Sequence, residues 1–196
     1  MTVDVRSLID PEERRAAIPA LYDLRIRIFR DWPYLYEGTA DYEADYLAEF
    51  FREPGAVLVV AKDGDAIVGA ATASPMAAQN PEFQEPLRRR GLDVARIFYF
   101  GESVLLPAFQ GQGIGHRFFD AREAAARAAG AVQTSFCAVI RPEDHPMRPE
   151  APRDLHPFWR ARGYTPVDGL TGTLAWQDLG DDFESAHLMQ FWMRDL

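Results

Sequence analysis

The chain has 196 residues, 47% hydrophobic and 26% charged, which suits one domain with a real core spanning residues 1–196. A formal net charge of -9 argues against nucleic acid as the main partner, because phosphate contacts need a basic face. The single cysteine, Cys137, excludes an internal disulfide and a cysteine-cluster metal site; no metal is expected, and a reducing cytoplasm fits.

The N-terminus, Met1 to Arg6, lacks the basic-then-apolar layout of a secretory signal. Val3 to Ser7 reads as a first strand. Asp10-Pro11-Glu12-Glu13 is a helix start, with a capping acid, proline at the first helical position and acids in the first turn. Ala17, Leu21, Leu24 and Ile28 then step at helical spacing, and the helix ends near Arg30, because Trp32 precedes Pro33. The aromatic loop Trp32 to Gly38 follows. A second helix is predicted over Thr39 to Arg52, with Tyr42, Tyr46, Leu47 and Phe50 on its apolar side.

Val57 to Lys62 and Ala66 to Ala73 flank Asp63-Gly64-Asp65, a hairpin pattern. Apolar runs such as Ala56 to Ala61 are far too short to cross a bilayer, so no membrane role is expected. Ser74 to Ala95 shows no clear period, and its run Arg88-Arg89-Arg90 reads as a solvated helix face. Arg96 to Leu106 is an apolar strand interrupted by Gly101-Glu102-Ser103, where a glycine implies a bulge. Gln110-Gly111-Gln112-Gly113-Ile114-Gly115 turns out of it into a helix from Ile114 to Ala129, with Ile114, Phe118, Ala121 and Ala125 on one side and Gly130 as its stop. A strand over Val132 to Ile140, a proline-rich loop, a short helix from Asp154 to Arg162 and two strands near 171–177 and 186–194 complete the chain. The two hairpins imply a mixed, mostly antiparallel α/β sheet of six to seven strands with about four helices.

A strand, a glycine turn and a helix N-terminus together hold phosphate: glycine lets the backbone approach a ligand, and the helix end favours negative charge. Three ligands compete. A nucleotide-triphosphate loop needs a lysine that this turn lacks. A dinucleotide fold, and with it an oxidoreductase, needs another glycine spacing and an earlier place in the chain. The third is a resemblance. Leu105-x-Pro107-x-x-Gln110-Gly111-x-Gly113-x-Gly115 is similar to the acetyl-CoA motif of the GCN5-related N-acetyltransferases, the GNAT superfamily, and Phe158-Trp159-Arg160-Ala161-Arg162-Gly163-Tyr164 resembles a second motif of that family.

The resemblance implies a GNAT fold over essentially the whole chain and an acetyl-CoA-dependent N-acetyltransferase acting on a small-molecule or peptide amine, with a homodimer among the assemblies open to it. It places amides of Gln110, Gly111, Gln112, Gly113, Ile114 and Gly115 on the pyrophosphate, with His116 close by. Backbone groups of Val104, Leu105 and Leu106 face the pantetheine arm, between two strands that splay apart. Trp159 stands where the family commonly has a tyrosine that protonates the leaving thiolate; an indole is a donor but no practical acid, so Trp159 instead walls the thioester site, or the chain binds acyl-CoA as a sensor without transfer.

An alkylamine with a pKa of about 10.4 must lose a proton before it attacks. Glu102 is the leading base, on the expectation that burial near Phe98 and Phe100 raises its pKa; His145 and His156 are the alternatives. Trp32, Tyr34, Tyr36 and His145 are the candidate acceptor-site residues; the other reading of the three loop aromatics is that they cap the core between the two helices. Cys137 reads as a small buried hydrophobe rather than a nucleophile.

Overall fold

The computed structural model describes residues 3–196. Met1 and Thr2, part of the N-terminal layout considered above, lie outside the described residues. The elements are β1 (Asp4–Leu8), α1 (Pro11–Phe29), α2 (Ala40–Phe50), β2 (Val57–Asp63), β3 (Ala66–Pro75), α3 (Pro81–Arg89), β4 (Ile97–Leu105), α4 (Ile114–Ala128), β5 (Gln133–Val139), α5 (His156–Ala161), β6 (Thr165–Gln177) and β7 (Glu184–Asp195). The strands form one seven-stranded sheet in the order β1-β2-β3-β4-β5-β7-β6. Every neighbouring pair is antiparallel except β4 and β5, which run parallel.

The period of two along β2 explains the layering. Leu58 and Val60 face α1 and α2, packing with Leu21, Leu24 and Leu47. Val59 and Ala61 face the other way, onto Ile114 and Phe118 of α4. All four of these β2 side chains are fully buried, so the sheet is the middle of three layers. Cutting a buried leucine such as Leu47 to alanine costs about 2–5 kcal/mol, from lost transfer energy and the cavity left behind.

The α1 start is capped as its sequence dictates: the Asp10 carboxylate accepts from the amides of Glu12 and Glu13 at 2.8 and 3.0 Å. In the span without a clear period the structure forms α3, capped by Asn80, which accepts from Glu82 at 2.9 Å, with Pro81 at its first position. Those start signals are present in the sequence; the internal Pro86 obscures them. Arg89 pairs with Glu85 on the solvent side, and Arg90 donates to the Asp168 carbonyl at 2.6 Å.

Two helix faces differ from expectation. On α2 the buried residues are Leu47 and Glu43, whereas Tyr42 and Tyr46 are exposed. On α4 both Arg122 and Glu123 are buried. Glu123 accepts from Arg162, Arg194 and the Tyr164 hydroxyl at 2.9–3.2 Å, which joins α4 to β7 and the end of α5. β6 also begins earlier than expected. Its irregular stretch between Pro166 and Thr171 is held by the Gln190 amide, which donates to the carbonyls of Val167 and Leu170 at 2.8 and 3.1 Å.

Candidate active site

The parallel pairing of β4 with β5 is short: Ile97, Phe98 and Tyr99 face Gln133, Thr134 and Ser135. Beyond that, β4 follows β3 as far as Leu105 opposite Gly69, while β5 follows β7 as far as Val139 opposite Met189. The two strands part, leaving strand edges that face each other across a gap.

β4 carries a bulge where the gap opens. Ser103 faces Ala71 and Phe100 faces Ala73, so Gly101 and Glu102 together oppose Thr72. Gly101 is obligatory here: a Cβ would sit 2.5 Å from the Thr72 hydroxyl oxygen. That hydroxyl accepts from the Glu102 amide at 3.2 Å. From the α4 layer, the Arg122 guanidinium donates to the carbonyls of Thr72 and Glu102, each at 3.3 Å. Arg122 is 1% exposed and lies 4.4 Å from the centre of the Phe100 ring. Burial pushes its pKa down to about 10, which still leaves it a cation at neutral pH. It supplies donors to carbonyls that the bulge takes out of the ladder.

On the α4 side of the gap, the glycine turn is built from backbone. Gly111 and Gly113 have φ of 75° and 77°, a region that glycine favours. No side chain caps α4 behind Gly113, so its first-turn amides have no side-chain acceptor. A Cβ at either glycine would meet nothing within 4 Å, so the turn is open rather than packed. An open, uncapped helix start of this kind fits an anionic pyrophosphate. The buried Ile114 side chain anchors the turn to the core. Gln110 donates to the Leu105 carbonyl at 3.4 Å and accepts from Arg153. The His116 ring packs edge-on against Phe158 at 4.9 Å. Trp159 sits between Phe136 and Trp192, each 5.0 Å away, with His156 at 5.4 Å.

The opposite side is built from side chains. Phe98 and Phe100 pack with Phe119 and Phe136 in the α4 layer, so they do not surround the Glu102 carboxylate. Glu102 instead reaches Arg25 of α1, with Nη1 2.8 Å from its carboxylate. The other edge of Arg25 is taken by Glu43, a residue with no exposure. The ring centres of Tyr46 and Phe29 lie 4.6 and 5.2 Å from the guanidinium carbon. Burial works against the charge of Arg25, but Glu102, Tyr46 and Glu43 outweigh it and hold the guanidinium above its usual pKa.

Of the candidate loop aromatics, Tyr34 packs on Phe29 at 4.7 Å and on Trp176 at 6.0 Å. Burial pushes its pKa up to about 12, with Cys137 and Glu102 adding to the effect, so its phenol remains a donor at neutral pH. Tyr36 is shifted upward by burial and by its hydrogen bond with Glu43. Trp32 and His145 meet each other at 5.4 Å. A clamp fixes this loop: Arg141 pairs with Asp178 at 2.5 Å and donates to the carbonyls of Pro33 and Tyr34 at 2.8 and 2.5 Å. Burial raises the pKa of Asp178, but the bonds and charge of Arg141 outweigh it and hold the carboxyl below its ordinary range. The Cys137 thiol is pushed well up by burial, which fits an inert core residue.

The sequence marks the glycine turn and the bulge at Gly101, and leaves Arg25, Glu43, Arg122 and Arg141 unmarked. Glu43 lay within reach, since it stands four residues before Leu47 on the same helix face. The arginines carry no comparable signal, because their partners lie far away in the chain.

The Acetyltransferase (GNAT) family profile matches residues 18–164, well over half of the chain. No match was found among curated proteins. Solved structures share the fold at low identity. A ribosomal-protein-alanine N-acetyltransferase from Brucella melitensis is 16% identical with a TM-score of 0.62, covering 98% of this chain and 99% of its own. An aminoglycoside 6'-N-acetyltransferase complexed with coenzyme A is 16% identical with a TM-score of 0.59, covering 100% and 97%. The Salmonella typhimurium protein yncA, solved with its cofactor acetyl-CoA, is 13% identical with a TM-score of 0.60, covering 100% and 95%. With the profile match, the parted strands and the glycine turn in agreement, the chain belongs to the acetyltransferase (GNAT) family.

Proposed function

We propose that this protein transfers an acetyl group from acetyl-CoA to a primary amine, directly and within a ternary complex. Family membership supports acetyl-CoA as the donor. The observation that carries the reading is the parting of β4 and β5 after Tyr99 and Ser135, with an uncapped glycine turn on one side and the Glu102 carboxylate on the other.

Acetyl-CoA supplies an acyl group activated as a thioester. Amides of Gln110 to Gly115 hold the pyrophosphate, with His116 beside them, and the backbone of Val104, Leu105 and Leu106 offers an edge to the pantetheine arm. Phe158 and Trp159 close the gap on the α5 side and keep water out. The acceptor enters from the α1 and α2 side, past Tyr34 and Tyr36, with Trp32 and His145 at the rim. Glu102 accepts the ammonium proton, directly or through one water, and Arg25 fixes the carboxylate in place. The reading requires no acid in place of the family's tyrosine, because a thiol of pKa about 8.5 leaves adequately as the thiolate. The site works by positioning and by proton removal.

Loss of transfer with retention of binding, an acyl-CoA sensor, is the second reading, favoured by the indole at Trp159. A cytoplasmic location fits the lone buried thiol, and no helix among the described residues is long and apolar enough to cross a membrane. Thermal unfolding with acetyl-CoA and with NAD(P), followed by thiol release across amino acids, polyamines, aminoglycosides and peptides, tests the proposal. It expects stabilisation by acetyl-CoA alone and amine-dependent thiol release. Stabilisation without release with any amine selects the sensor, and stabilisation by NAD(P) alone contradicts both readings.

A further inference from the structure

The charges beside Glu102 do not balance. Glu43 and Glu102 share one guanidinium, that of Arg25. Glu43 accepts from Nε and Nη2 of Arg25, the Glu102 carboxylate lies 2.8 Å from Nη1, and the rings of Tyr46 and Phe29 lie alongside the guanidinium. Arg141, the cation of the loop clamp, is likewise committed, to Asp178 and to the carbonyls of Pro33 and Tyr34. The triad of Glu43, Arg25 and Glu102 therefore carries one net negative charge, and the charge of Arg141 is met by Asp178 in the same way. Around it stand phenols and rings, Tyr34, Tyr46 and Phe29, which accommodate an alkylammonium.

We infer that the acceptor is an amine with no carboxylate near its reacting nitrogen, and that Glu43 sets this selectivity by occupying Arg25. The inference rests on the proposed function and deepens it. A free amino acid would bring its carboxylate against Glu102 without a cation to meet it, and like charges about 6 Å apart in partly buried surroundings separate acceptors by about 10²-fold. An amine whose far end is neutral or cationic, such as an amide, a polyamine or a peptide amine, meets no such repulsion. Specificity of this kind comes from what the site repels as much as from what it binds.

The test compares free ω-amino acids with their amides, 4-aminobutanoate against 4-aminobutanamide and the same pair at shorter and longer chain lengths. Rates are compared at a pH well below the pKa of either amine, about 10.4 for an alkylamine, so that both acceptors are offered as the ammonium that Glu102 deprotonates. The amides are expected to exceed the acids by about 10²-fold in kcat/KM at low salt. The ratio should shrink as sodium chloride is raised, because screening weakens repulsion at a partly open site. Glu43→Gln, which removes one negative charge and exchanges one of the two oxygens facing Arg25 for an amide nitrogen, should shrink it by about 10-fold. Should that variant fail to fold, the wild-type ratio and its salt dependence decide the matter. Acids used as well as their amides would overturn this inference and leave the acetyltransferase reading standing. Acetyl-CoA binding with no transfer to any amine would overturn both.

Discussion

The two sides of the β4–β5 gap are built by different means. The α4 side is backbone: two glycines at positive φ and an uncapped helix start, all within five consecutive positions. The α1 side is side chain: Glu102 held by Arg25, which Glu43 holds in turn, from three elements separated by 18 positions or more. A backbone site tolerates side-chain change except where proline would remove an amide or where the positive φ of Gly111 and Gly113 favours glycine. A side-chain site depends on each partner, because removal of one leaves the others buried and unpaired.

The largest effect should come from breaking the side-chain half. Arg25→Met strands Glu43 as an unpaired buried carboxylate, at a cost of about 3–5 kcal/mol. For a chain of this size that lowers the melting temperature by on the order of 10 °C. A shift of a degree or two in a thermal scan would show that the triad is not structural. Next, Glu102→Gln should lower kcat by about 10²-fold, the lower range for loss of a positioned base, while acetyl-CoA affinity stays within about twofold. Steady-state kinetics beside calorimetry checks both parts, and an unchanged kcat would remove Glu102 from the chemistry.

Breaking the backbone half should cost less. Gly113→Val has room for its side chain but not the right backbone, since φ is 77° and a Cβ there meets nothing. The conformational cost of about 1–2 kcal/mol weakens acetyl-CoA binding by about 10-fold without unfolding the core. The smallest effect concerns the loop clamp. Asp178 has a folded pKa below its unfolded value of about 3.9. Its contribution is therefore complete above that value and lost as pH falls through the lower, folded one. Melting temperature scanned from pH 6 to pH 3 should fall less steeply in Asp178→Asn than in the wild type; parallel curves would contradict the clamp.

The same contrast explains what the sequence made legible. The glycine turn, the bulge at Gly101 and the capped start of α1 are local, and their signals lie within a few residues. The order of the elements and the mixed sheet followed from such signals. Arg122 was hidden because an arginine within an alanine-rich helix reads as solvent-facing. Its burial follows from carbonyls freed on strands 20 and 50 positions away. The environment of Glu102 was misjudged for a related reason: the bulge adds a residue, so Glu102 leaves the side of the sheet that Phe98 and Phe100 occupy and meets Arg25 instead. Helix α3 shows the converse, a local start at Asn80-Pro81-Glu82 obscured by a second proline.

The division of labour across the gap is tested most directly by titrating acetyl-CoA into Glu102→Gln and Gly113→Val by calorimetry, against the wild type. Wild-type affinity in the first and about tenfold weaker binding in the second is the result predicted by a backbone-built cofactor half and a side-chain-built acceptor half. Weakened binding in Glu102→Gln together with full affinity in Gly113→Val would contradict it.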